Sequence, residues 1–284
     1  MAAATAPSEP GIFAIPRPIR SLFNLFPLHT YEAESPPVRA PDRSRPRARL
    51  YVFSSEEDAV RGRPSFNPTC LKWQTYLRMA NIETDLVPST NHASPSGALP
   101  YLLPPTTDSR PDIPLTGAQI SQYAQKHSSF RERQSPRARA YLSLIAQSIR
   151  PAWLHALYLS PVHTNLLARL YLPPCPLLST PLLHTLRSAA TLEILKTTRR
   201  PLLLPDQLYS DAGTAFLALA LLLGSDEWFF AASEPGSFDA QVFSYTYLVL
   251  DSSFGWDDDT WTACLKGCDN LIDHRRRLYQ RCWG

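Results

Sequence analysis

Long apolar runs are missing from this chain of 284 residues. None reaches the ~18–20 residues that a membrane-spanning helix requires. The longest candidate, Ala215 to Leu223, stops at Gly224 followed by Ser225, Asp226 and Glu227, and reads as a buried helix core. A secretory opening is also missing, since Ile12 and Phe13 are soon interrupted by Pro16, Arg17, Pro18 and Arg20. Zinc-type spacing is absent among Cys70, Cys175, Cys264, Cys268 and Cys282. An odd number of cysteines without recurrent spacing predicts reduced thiols, and Cys264 and Cys268, four apart on one expected helix, are read as buried core thiols. The seven histidines form no ligand-spaced pair and no HExxH, so no metal is expected. A net charge of +3 and a pI of 8.6 fall short of a nucleic-acid-binding domain, which needs a basic face and a pI above about 9. Glycine is scarce at 10, whereas proline reaches 28, which predicts an irregular opening and sharply ended or kinked helices.

The first 48 residues divide in two. Residues 1–11 are rich in Ala, Pro and Ser. Residues 12–31, IFAIPRPIRSLFNLFPLHTY, carry too many apolar groups for a free tail. From Ile19 to Phe26 their spacing of 3 and 4 places them on one side of two helical turns. Such an arm serves either to fold back on its own chain or to dock on a partner; Ile15, Pro16, Pro18, Ile19, Leu22, Phe23, Phe26 and Pro27 are the candidate docking residues. Residues 32–48 read as a polar basic linker.

From Leu50 the types of structure alternate. Leu50 to Phe53 predicts a strand, Asn67 and Pro68 open a helix to about Ala80, and Thr84 to Pro88 predicts a second strand. Tyr101 to Leu103 and Ile113 to Leu115 flank a turn, and a helix follows from about Thr116 to Lys126. This is the thioredoxin-like order. After Gln134 apolar residues recur at helical spacing in 137–159, with a kink at Pro151, and in 163–172, 181–198, 206–223, 238–251 and 258–281. The expected fold class is therefore α/β plus all-α, glutathione-transferase-like. Its expected domains are an arm and linker at 1–48, a thioredoxin-like domain at 49–130 and a helical domain at 131–284.

Three stretches carry a closer resemblance: FNPTCLKWQTYLRMANIETDLV (66–87), SPSGALPYLL (94–103) and EWFFAASEPGSFDAQVFSYTYLVL (227–250). In order and spacing they resemble the metaxins, transferase-like proteins of the mitochondrial outer membrane, and the metaxin-2 branch in particular. The opening IPRPIRSLFNLFPLHTY resembles the smaller metaxin-like subunit of the fungal sorting and assembly machinery. The resemblance implies a peripheral receptor or adaptor on the cytosolic face of that membrane. Its partners would be a membrane-embedded β-barrel core subunit, a second metaxin-like subunit, and β-barrel precursors presenting a C-terminal strand signal. Contact with the membrane would come mainly through those partners. The alternatives are a cytosolic glutathione-dependent enzyme and a general transferase-like interaction scaffold.

The remnant of a glutathione site separates these readings. Where related enzymes place a thiol or hydroxyl at the start of the first long helix, this chain has Asn67-Pro68-Thr69-Cys70, and a carboxamide is not a nucleophile. Where a Ser would hold the γ-glutamyl carboxylate, it has Gly117, with Thr116 in place of an acid. Ile120 and Tyr123, the packing positions, remain. Pro100 falls where the fold places a cis peptide. Asp239 lies in the first turn of a helix opening near Gly236 and is expected to cap it. Asn67, Pro68, Cys70, Pro100 and Gly117 are thus expected to form a degenerate site, with no catalytic residue, no cofactor and no enzymatic activity. The run Asp257-Asp258-Asp259 is expected to cap the last helix, and His274-Arg275-Arg276-Arg277, with Lys266 and Arg281, to form a solvated basic face.

Overall fold

A computed structural model describes residues 45–128 and 136–284. The arm residues Ile15, Pro16, Pro18, Ile19, Leu22, Phe23, Phe26 and Pro27 lie outside the described residues.

The first half is built on four strands: β1 (Ala48–Val52), β2 (Thr84–Pro88), β3 (Tyr101–Leu103) and β4 (Leu115–Thr116). Their order in the sheet is β2-β1-β3-β4. β1 runs parallel to β2, with Leu50 opposite Leu86, and antiparallel to β3, with Tyr51 opposite Tyr101. Burial alternates along β1, so Ala48, Leu50 and Val52 are buried while Arg49 and Tyr51, on the other face of the strand, are half-buried. The parallel β1–β2 pair needs a crossover. It is made by α1 (Glu56–Val60) and α2 (Pro68–Met79). After β4 the chain enters α3 (Ala118–His127).

Among the described residues the second half holds no strand. Its helices are α4 (Pro136–Leu144), α5 (Arg150–Leu154), α6 (Thr164–Tyr171), α7 (Pro176–Thr198), α8 (Pro205–Leu223), α9 (Ser237–Leu250), α10 (Thr260–Ala263) and α11 (Asp269–Trp283). α9 is buried on nearly every side, and it packs along α2 and α11. Even its hydroxyls turn inward to the backbone, with Thr246 Oγ1 donating to Val242 O at 3.2 Å. One apolar core runs through both halves, from Leu50 and Leu77 to Phe243 and Leu271. The end of α11 ties back to the first half. Arg78 donates to Cys282 O at 2.5 Å, and Trp283 Nε1 donates to Gly62 O at 3.0 Å.

The structure differs from the sequence expectations at six places. Arg45, expected in a polar linker, is buried, and its guanidinium donates to Pro104 O and Pro111 O at 2.6 Å each. The segment 54–65, for which no element was expected, contains α1, capped by Ser55 and opened by three acids. α7 begins at Pro176, five residues ahead of the expected start, because Pro is compatible with a first turn. The stretch expected as one helix over 258–281 is broken, since Gly267 turns the backbone to φ +81°. Asp257–Asp259 therefore precede the short α10, and Cys264 and Cys268 are buried in the turn region and not on one helix. His274 is buried against Asp239 and is no part of a solvated face. Around Pro151 the helix stays continuous. A wider π turn at Ile145–Ile149 makes room for a residue that has no N–H and a bulky ring.

Candidate functional site

Asn67 is the cap of α2. Its Oδ1 accepts from Thr69 N at 3.0 Å and Cys70 N at 3.3 Å, which satisfies two of the free donors of the first turn. Pro68 follows at the position where a missing N–H costs nothing. The cap is anchored to the sheet through Ser65, whose Oγ donates to Phe53 O at 2.5 Å and accepts from Asn67 N at 3.2 Å.

The other polar atom of Asn67 is also engaged. Its Nδ2 donates to Tyr171 Oη at 3.1 Å, across the interface with the helical half. Tyr171 stands edge-on to Phe53 and Phe66, with centroids at 5.1 and 5.3 Å, and shares a hydrogen bond with Tyr158. Burial pushes the Tyr171 hydroxyl well above its ordinary range, so it stays protonated. The helix N-terminus is thus roofed by an aromatic box.

Pro100 immediately precedes β3 and Gly117 immediately follows β4. Tyr101 pairs with Thr116, so both lie at one end of that hairpin. Because Tyr51 pairs with Tyr101, the same end of the sheet receives the end of β1 and, through Phe53 and Ser65, the start of α2. The Leu99–Pro100 peptide is cis. An extended ligand would pair with the backbone beside it, yet Leu99 N already donates to Asn91 Oδ1 at 3.0 Å. Ser94 Oγ donates to Ala98 O at 2.7 Å and closes the same turn. Gly117 sits at φ +49°, ψ −122°, a backbone state that favours glycine. It offers N–H but no hydroxyl.

Cys70 is fully buried below this surface, and burial pushes its thiol up to about 12 against the bonds from Phe53 and Ser65. Asp239 lies apart from the site. Its Oδ2 accepts from Gly236 N at 2.9 Å, and its Oδ1 accepts from Phe229 N at 3.1 Å and from His274 Nε2 at 2.9 Å. Among the described residues no group of three or more His, Cys, Asp or Glu could hold a metal. The sequence reading missed Tyr171 and Asn91. Tyr171 carries no local signal, because it reaches Asn67 only through the fold.

Two family models match the chain: the glutathione S-transferase N-terminal domain over residues 68–163, and the glutathione S-transferase C-terminal domain over residues 212–278. With the mixed sheet and the helical half, these matches define a chain with glutathione S-transferase N- and C-terminal domains. Among solved structures it is similar to a glutathione S-transferase domain-containing protein of Marinobacter aquaeolei, at 13% identity, 82% of this chain, 98% of that one and a TM-score of 0.48. A glutathione transferase of Pseudomonas putida with bound glutathione disulfide is 15% identical, covering 84% and 88% at a TM-score of 0.47. One from Methylobacterium radiotolerans, complexed with glutathione sulfonate, is 15% identical, covering 83% and 91% at 0.46. No curated protein matches.

The matches correct the expectation of a chain without enzymatic activity. Both matched domains are those of glutathione S-transferases, which points towards an enzyme and away from a chain without activity. The inference from Asn67 asked too much of that residue. In glutathione conjugation the nucleophile is the sulfur of glutathione itself, so a carboxamide at position 67 does not exclude the reaction.

Proposed function

We propose that this transferase-like chain serves as a protein-binding scaffold, and specifically as an adaptor of the mitochondrial outer-membrane machinery that inserts β-barrel proteins. It stands on the cytosolic face beside the barrel core and a second metaxin-like subunit. There it helps receive precursors by their C-terminal strand. The observation that carries the scaffold reading is the Asn67–Tyr171 bond: the ligand-facing helix start is satisfied from within the chain. Leu99 N on Asn91 supports it in the same way. The metaxin-like stretches at 66–87, 94–103 and 227–250 support the finer assignment.

A second reading, a glutathione-dependent enzyme, is favoured by both domain matches and by a retained helix cap beside a cis-proline turn. Affinity purification of the tagged chain from gently solubilised mitochondria tests the first. A β-barrel subunit and a second metaxin-like protein should come with it, and recovery as a lone cytosolic protein would overturn the assignment. Calorimetric titration with glutathione, followed by a conjugation assay, tests the second. Turnover that falls on changing Asn67 would establish it.

A further inference from the structure

α7 (Pro176–Thr198) packs its inner side on α5 and the π turns that flank it, Ile145–Ile149 and His155–Leu159, and buries only Ala190 and Ile194 fully. Its outer side exposes leucines among small polar residues. Leu177 is 86% exposed, Leu178 57%, Leu182 39% and Leu192 68%. At about 100° per residue these four leucines fall within an arc of roughly 140° over more than four turns, and the residues exposed between Leu182 and Leu192 on that arc, Thr185, Ser188 and Ala189, are small and uncharged. A stripe of this kind is more than the scattered exposed leucine that any protein shows.

Acidic charge is nearly absent from this face. From 173 to 204 the one acid is Glu193, and it is held by Arg150 at 2.6 Å. Lys196 continues the leucine arc at the far end of the helix, and Arg199 follows at the cap; both are exposed. The next turn adds exposed Leu202 and Leu204. The stripe contains no Trp, Tyr or Arg, the side chains that usually anchor protein–protein contacts. Leucines without acids, with cations at one end, complement an anionic lipid surface. None of the described helices is long and apolar enough to cross a membrane, so α7 would lie on the surface.

We propose that the outer face of α7 rests on an anionic phospholipid surface, with Leu177, Leu178, Leu182 and Leu192 entering the boundary between headgroups and acyl chains. Lys196 and Arg199 then meet the phosphates. This does not rest on the partners proposed above, and it gives the chain a membrane contact of its own.

Flotation of the full chain with phosphatidylcholine vesicles, with and without phosphatidylinositol, tests it. Wild type should float with the anionic vesicles, and added salt should weaken the association. The Leu177→Asp/Leu178→Asp variant should lose at least ~10-fold in partitioning. Lys196→Glu should lose about 5-fold, on anionic vesicles only. These positions are exposed, so circular dichroism and the thermal midpoint should stay unchanged; Leu178→Gln/Leu192→Gln gives a milder second pair. The proposal is overturned if wild type stays unbound, including as a dimer closed over this face. Equal flotation of wild type and leucine variants would also overturn it, placing membrane contact elsewhere on the chain.

Discussion

Asn67 and Tyr171, 104 residues apart, meet through one hydrogen bond of 3.1 Å between the sheet-bearing half and the helical half. Asn67 thereby caps its own helix with its oxygen and holds the other half with its nitrogen. Replacing Tyr171 with Phe keeps the aromatic box but removes the hydroxyl. The expected cost is about 1 kcal/mol in urea unfolding, and Asn67→Ala should cost about 0.5–2 kcal/mol through the cap. A double-mutant cycle should show coupling of ~0.5 kcal/mol or more. Strict additivity would mean that the contact contributes nothing.

The carboxylate of Asp239 serves three donors, on Phe229, Gly236 and His274. Truncating it strands them in a buried setting. Asp239→Ala is expected to destabilise by ~3–5 kcal/mol, and Asp239→Asn by less, because one acceptor oxygen survives. Equal losses for the two variants would show that hydrogen bonding at this position is unimportant.

Alkaline pH should find Cys70. Its thiol ionises near the ordinary 9.0 when unfolded but only at about 12 in the fold. The raised value means that the stabilisation is whole below pH 9 and is lost as pH climbs towards 12. Across that window Cys70 should add a downward slope of at most ~1.4 kcal/mol per pH unit. Comparing urea unfolding of wild type and Cys70→Ala at pH 8 and pH 10.5 should show a shallower fall in the variant. Parallel falls would place the titration on other groups.

Gly117 stands at φ +49°, with open space where a Cβ would go. Gly117→Ala should therefore cost at least ~1 kcal/mol through backbone strain alone, without a clash. An unchanged midpoint would indicate that the turn relaxes to another conformation.

Much of the fold was legible in the sequence because its signals are local. Pro68 behind Asn67 marks the start of α2, and the spacing of Tyr101, Leu115 and Ile120 separates hairpin from helix. α1 had its signal too, Ser55 ahead of Glu56, Glu57 and Asp58, but its single turn is shorter than any apolar repeat. Gly267 could not be told from a tolerated helix glycine until its positive φ was seen. The candidate site was legible only as an inventory. Asn67 and Gly117 show which atoms are offered, whereas Tyr171 and Asn91 show which are already taken, and those pairings arise in the tertiary fold alone.

The shared core has a mechanical consequence. A hinge between the halves would have to tear α9 from α2 and wet Phe243 and Leu77, which lie in the same apolar mass. The Arg78 and Trp283 bonds act as a second clasp at the far end of the chain. The two halves therefore move as one stiff body. Whatever binds across these two halves must fit a surface already set before they meet.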